Sequence, residues 1–404
     1  MQTDKVRIVH VEDRFHPDMG YQLNFTAKFH SKEIEMHIIT SESLKLWSHD
    51  KSLTAEVIRE KDRAFEEKHG IHIHRLPVKY EKKHGYNMLM SGVVDKIYEL
   101  KPDVLFIHAI ESYTAFLLLN KRKLYRDFLV CCDTHTLYNQ FSNSLTEKLY
   151  FSLLKNVVIS KIKRYNALVF YTASENREIL INQYGINTKN VYPYLIGTDS
   201  NVFYPDPESG QQLRTKLGIS TDKKVILYAG KFNYPKSPHL LVDALKIVEQ
   251  EIPESVLVMV GGKNEEYFNE HFKEGSSFKN IQLKVLDAVN VSQLNNYYNI
   301  ADVVVFPKEN TLSALDCQLT ETPAVMEEDM TNRERLQKGG LTYKSGSLDD
   351  LGEKIKTLLN DDSLRKTLGA EGRQFISNNY SYKNIVSNVE DVILENFSKL
   401  KSSS

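Results

Sequence analysis

Short, nearly unbroken apolar runs recur along this chain, and each is followed by a longer stretch with a single apolar stripe. Strands buried on both faces by helices read in this way, so the alternation calls for βαβ units around a parallel sheet. Strands are predicted at Val6–Val11, Glu35–Thr40, Ile71–Leu76, Val104–His108, Phe128–Asp133 and Ala167–Tyr171. An amphipathic helix is predicted over Met88–Leu100. Asn187–Gly210 reads as a loop, carrying Pro193, Gly197, Pro205 and Pro207. The pattern then restarts, with strands predicted at Lys224–Ala229, Val256–Val260, Ile281–Val285, Val303–Phe306, Pro323–Met326 and Leu341–Tyr343. The α/β chain is therefore expected to form two doubly wound, Rossmann-like domains, 1–200 and 201–380. A closing helix in 381–404, with Val386, Val389, Val392, Ile393 and Phe397 on one face, is too isolated to fold alone and should pack back on the N-terminal domain. Two such domains would face a central cleft, with the carboxyl ends of both sheets lining it.

Charge and cysteine content narrow the partners. Lys and Arg number 52 against 53 Asp and Glu, so no global basicity marks a nucleic-acid binder. Three cysteines, two of them adjacent, build neither a disulfide framework nor a metal site by spacing, and a cytoplasmic location is expected. The opening residues lack the apolar core of a signal peptide, and apolar stretches such as Tyr113–Leu119 fall far short of the ~18 residues that span a bilayer.

The phosphate loop of NTPases is missing, the first strand is not followed by G-x-G-x-x-G, and no Asp-x-Asp pair occurs to hold a divalent metal on a pyrophosphate. A nucleotide diphosphate here would have to be neutralised by cations and helix N-termini. The strand predicted at Lys224–Ala229 runs into Gly230-Lys231, and Lys236 follows just before a helix, an arrangement that suits a diphosphate. Further on, Phe306-Pro307 ends a strand and a helix is predicted to open near Thr311, leaving free amides around Leu312 and Ser313. Glu309 precedes that helix and Asp316 is expected about two turns in, placed to grip hydroxyls of a sugar and a ribose. His135 and His108 follow strand ends at the expected cleft edge, and His16 is a candidate for shaping an acceptor pocket.

Together these elements resemble the retaining glycosyltransferases of family 4, which have the two-domain GT-B fold. Gly230-Lys231 with Lys236 is similar to the family's pyrophosphate-holding element. Glu309 and Asp316, then Thr322-Pro323, resemble its paired glutamates, although six residues separate them instead of seven. Leu195-Ile196-Gly197-Thr198-Asp199 with Phe203-Tyr204-Pro205 resembles its linker, and Phe15-His16-Pro17 with Gly20 its first-strand loop. Pro102-Asp103-Val104 through His108, and Asp133-Thr134-His135-Thr136, resemble the strand ends lining its acceptor side.

The resemblance implies retention of anomeric configuration, a nucleotide-sugar donor (UDP by default), and neither metal nor other cofactor. It implies His135, Glu309, Lys231 and Lys236 in catalysis, with Lys231, Lys236, Leu312, Ser313 and Asp316 on the donor nucleotide. The acceptor, a glycan, lipid-linked sugar or protein, would meet His16, Gly20 and His108, as in surface polysaccharide synthesis. An epimerase or phosphorylase on the same fold, or a non-catalytic partner subunit, are the rival readings. Leu145–Tyr165 interleaves apolar residues with five cations against Glu147 alone, which suits either an ordinary packed helix or a peripheral contact with anionic lipid on the inner membrane face.

Overall fold

The computed structural model describes residues 5–48, 50–82, 87–136, 145–272, 278–308 and 311–402. It divides into two units, 1–196 with 382–404, and 197–381.

The first unit contains β1 (Val6–Val11), β2 (Ile34–Ser41), β3 (His72–Leu76), β4 (Val78–Glu81), β5 (Met88–Met90), β6 (Val104–Ile107), β7 (Leu129–Thr134), β8 (Leu168–Tyr171) and β9 (Val191–Pro193). Seven of these form a parallel sheet in the order β3-β2-β1-β6-β7-β8-β9, and the chain reverses direction across the sheet between β1 and β6. Alternate residues bury on opposite faces. Val9, Val11, Leu105 and Ile107 meet Val93 and Ile97 of the helix Val93–Leu100 on one face. Ile8, Met36 and Phe106 meet Leu23 and Ala27 of the helix Gln22–Phe29 on the other.

The closing helix, Tyr382–Ser402, joins this second face through Ile385, Val389, Ile393 and Phe397. Tyr382 stacks on Phe25 at 3.8 Å, and the Ser31 amide donates to the Glu390 carboxylate. Burial pushes Glu390 up to about 7.

The second unit contains β10 (Lys224–Ala229), β11 (Ser255–Val260), β12 (Ile281–Leu286), β13 (Val303–Phe306), β14 (Ala324–Glu327) and β15 (Gly340–Tyr343). They lie parallel in the order β12-β11-β10-β13-β14-β15, with the reversal between β10 and β13. Ligands of open α/β sheets bind at such reversals, outside the carboxyl ends of the strands.

Three local readings need correction. Met88–Met90 is a strand paired antiparallel with β4, and the helix begins only at Val93, after Gly92 takes φ +72°. The segment read as a loop over 187–210 contains β9, which pairs with β8, and its irregular part stops at Asp206, which caps a helix over Pro207–Lys216 by accepting the Ser209 amide. Gly210 lies inside that helix because a Cβ there would stand 2.7 Å from the Asn299 carbonyl of the helix packed against it. Leu145–Tyr165 is not one regular helix: Leu145–Leu153 and Ser160–Arg164 are α-helical, and a π-helical turn over Leu154–Ile159 joins them.

Candidate functional site

The donor-side candidates gather where β10 leaves the second sheet. Tyr228 donates its hydroxyl to the Lys231 carbonyl at 2.6 Å, and the Phe232 amide donates to the Gly262 carbonyl at 2.8 Å, tying the β10 exit to the β11 exit. Gly261 allows this contact, because a Cβ there would stand 1.7 Å from the Gly230 carbonyl oxygen. Lys231 is exposed and Lys236 half-buried on the turn that follows. Asn233 accepts the Lys236 amide, and its carbonyl accepts the Ser237 amide. Ser237 adopts φ +42°, a conformation unusual for a side chain, and the chain then enters the helix His239–Val248. A buried tyrosine, Tyr267, fastens that entry by bonding His239 Nδ1 at 2.6 Å. Both lysines thus belong to one anchored strand-to-helix turn.

The helix after β13 begins at Ser313, which places Asp316 in its first turn, not two turns in. Leu312 is exposed and Ser313 half-buried at that N-terminus. Burial pushes the Asp316 carboxyl up to about 7, against the hydrogen bond from Thr198 (2.6 Å) and the charge of Arg335. Arg335 also donates to the Thr311 carbonyl. Glu309 lies outside the described residues.

In the first unit the carboxyl ends of β1, β6 and β7 bring polar groups together. His10 Nδ1 lies 3.0 Å from His108 Nε2, and His108 Nδ1 lies 2.6 Å from Asp133 Oδ2. The other oxygen of Asp133 accepts the Ala109 amide at 2.7 Å and lies 3.8 Å from His135 Nε2. Ala109 holds φ +53° to present that amide, local strain of a kind that concentrates at working sites.

Burial alone would lower His108, but the charge and hydrogen bond of Asp133 raise it above its ordinary value. Burial likewise opposes the ionised form of Asp133, and His108 overcomes it and lowers the carboxyl. His10 is pushed well down by burial and then by the charge of His108. These directions favour a proton between His108 Nδ1 and Asp133 and the neutral form of His10, which meets His108 Nε2 through its Nδ1. His135, with 44% of its side chain exposed, is the solvent-facing end of the cluster.

The structure places His16 elsewhere. It is buried beside Trp47 (5.1 Å), its Nδ1 accepts the Asp18 amide, and its carbonyl accepts from Asn24. Gly20 has room for a Cβ, the nearest atom being Phe25 at 3.9 Å. Two members of the cluster had no role assigned from sequence, His10 and Glu12, and Asp133 was read only as part of a strand end on the acceptor side. Glu12 is raised by burial and feels the charges of His108 and Asp133. The available signal was the placement of ionisable residues at the ends of otherwise apolar strands.

The fold matches solved GT-B enzymes. Anabaena Alr3699/HepE, solved in complex with UDP and glucose, is similar with a TM-score of 0.66 at 16% identity, over 96% of this chain and 100% of that one. Residues 210–375 match the family model described as Glycosyl transferases group 1. The capsular polysaccharide biosynthesis glycosyltransferase CapM of Staphylococcus aureus is 22% identical over 382 residues, 93% of each chain. This chain is a glycosyltransferase with the GT-B fold. A D-inositol 3-phosphate glycosyltransferase of Xylanimonas cellulosilytica is 31% identical over 170 residues, 40% of each chain. Residues 210–375, matched by the family model, contain Lys231, Lys236 and Asp316. Among the described residues, no helix is long and apolar enough to cross a membrane.

Proposed function

We propose that this glycosyltransferase moves a sugar from a nucleotide diphosphate donor, UDP-sugar first among them, with retention of configuration and without a divalent metal. The observation that carries the reading is the single anchored turn from β10 into His239–Val248, which holds both Lys231 and Lys236. As the glycosidic bond breaks, the leaving diphosphate gains negative charge. Cations aimed at that charge stabilise the transition state more than the ground state. The amides at Leu312 and Ser313 add to this, Glu309 orients donor-sugar hydroxyls, and Asp316 accepts from the ribose. His135 contacts the transferred sugar, with Asp133 behind it.

The acceptor is a glycan or lipid-linked saccharide of a surface polysaccharide, bound by the first unit with His108 in its polar cluster. The CapM relationship supports that class of product, and the UDP bound to HepE supports the donor base. The exposed leucines of Leu145–Leu153 support action at the inner membrane face.

The test is transfer from UDP-sugars by Lys231→Ala and Lys236→Ala. Each should lower turnover by about 10²-fold, the scale for losing one charge-stabilising donor. Near-normal transfer by both variants would overturn the pyrophosphate assignment.

A further inference from the structure

Away from the cluster at the carboxyl ends, the first sheet carries a second group of ionisable residues on its opposite face. β2 and β3 pair in parallel with His37 opposite His72 and Ile39 opposite His74. Residues two apart on a strand share a face, so Glu35 and His37 stand beside His72 and His74. His10, one residue out of step with the β1 partner of His37, faces the other way. A ligand atom of Glu35, one of His37 and one of His72 all lie within 4.8 Å of one another. His37 Nε2 is 2.9 Å from Glu35 Oε1, and its Nδ1 is 3.0 Å from His74 Nε2. The rings of His72 and His74 stack on His37 at 4.7 and 5.3 Å.

We infer that Glu35, His37 and His72 form a binding site for one zinc-class divalent cation, with His74 as the hydrogen-bonded support of His37. The donor set, two imidazoles and one carboxylate, is of the kind that holds Zn²⁺, and the exposed side of His72 leaves a fourth position to water. Ligands at such a centre stand closer together than 4.8 Å, so the rings need shift little to converge. A metal on His37 Nε2 replaces the contact with Glu35 and requires the ring proton on Nδ1, where His74 Nε2 accepts it. Both rings stay neutral, so this tautomer exchange releases no net proton. A hydrogen bond behind the ligating ring is the usual device for fixing its tautomer and orientation.

Arg7 orients the carboxylate from the other side: its guanidinium pairs with Glu35 Oε2 at 3.1 Å and donates to the Leu100 carbonyl. Lys96 and Glu99 of the helix Val93–Leu100 bring one charge of each sign toward His74. β3 is an edge strand, so a cation shared between β2 and β3 would pin the margin of the sheet.

The experiment strips the full-length protein with EDTA, removes the chelator and titrates Zn²⁺ by calorimetry and thermal shift, with Co²⁺ absorption as a second readout. The expected result is one ion per chain, a raised melting temperature, and visible Co²⁺ bands of a low-coordinate nitrogen–oxygen site. His72→Ala, exposed and tolerant of truncation, should abolish the Co²⁺ bands. His74→Gln should weaken Zn²⁺ binding by roughly tenfold, the scale for removing such a support. Absence of Zn²⁺ binding by the wild type, or Zn²⁺ binding and Co²⁺ bands unchanged in His72→Ala, would overturn the site.

Discussion

A carboxyl group held at about 7 is close to half ionised at neutral pH, and Asp316 is such a group. Its elevation means the folded protein prefers the protonated form. The associated stability is present below the ordinary carboxylate range and is lost as pH rises through about 7. Ribose hydroxyls donate to the ionised form, so donor binding should draw a proton off Asp316 when the pH is at or below 7. Calorimetry of UDP binding in buffers of different ionisation enthalpy should detect that release, and Asp316→Asn should abolish it; equal release in the variant would remove Asp316 from the ribose site. The same reasoning reaches His108, which is raised because Asp133 overcomes its burial. In Asp133→Asn the burial remains, opposed by the weaker pull of Glu12, so imidazole NMR should find His108 lowered relative to the wild type, and an unshifted His108 would refute its coupling to Asp133. The placement of Lys231, Lys236 and His135 just beyond strand ends was legible in the sequence, because the strands of a doubly wound sheet are marked by their apolar runs. The His10–His108 contact was not, since it joins residues 98 apart through the adjacency of β1 and β6, which no local pattern encodes.

Among the elements, the helix Leu145–Leu153 has the least ordinary surface. Leu145, Leu149 and Leu153 are 84%, 73% and 48% exposed, a stripe at helical spacing, whereas Leu154, Val158, Ile159 and Ile162 turn into the core after it. Lys148 and Lys155 stand exposed on or beside the stripe, but Lys161 is engaged by the Asn120 carbonyl at 2.8 Å. The exposed apolar stripe of the sequence-defined segment thus lies in its first part, and cations beside it add about 1 kcal/mol each near an anionic surface. The wild type should sediment with anionic vesicles and be released by high salt, and a Leu145→Gln, Leu149→Gln, Leu153→Gln variant should remain in solution. Equal sedimentation of the two would remove the helix from membrane binding. The close β10–β11 exit makes a separate demand. Gly261→Ala should cost about 1–3 kcal/mol by overpacking and lower the melting temperature by about 2–4 °C per kcal/mol in a unit of this size. An unchanged melting temperature would show that the backbone yields at no cost. The main strands were readable within a residue or so because continuous apolar runs suit both-face burial. The β4–β5 hairpin and the π-helical turn were not: Met88–Met90 is too short to show a period, and an extra residue in a helical turn leaves the apolar stripe nearly intact.

For the whole molecule, near-zero net charge means that any diphosphate site must be built locally, from a few placed cations. The chain lacks an Asp-x-Asp pair, and the second unit offers Lys231, Lys236 and helix N-termini at the strand ends beside its sheet reversal. A fixed ammonium needs no loading step, so transfer should proceed unchanged in excess EDTA at a temperature well below the melting transition. The same treatment should strip the Glu35–His37–His72 site and lower the melting temperature, because that site lies on the face of the first sheet opposite His10 and serves β3. The two readouts therefore separate: turnover reports the donor site, and thermal stability reports the cation at the sheet margin. Turnover that disappears in EDTA and returns with Mg²⁺ or Mn²⁺ would show that a metal neutralises the diphosphate, and the lysine turn would lose the role proposed for it. Turnover that returns only with Zn²⁺, in step with the melting temperature, would instead tie catalysis to the integrity of the β2–β3 edge and leave the donor assignment standing.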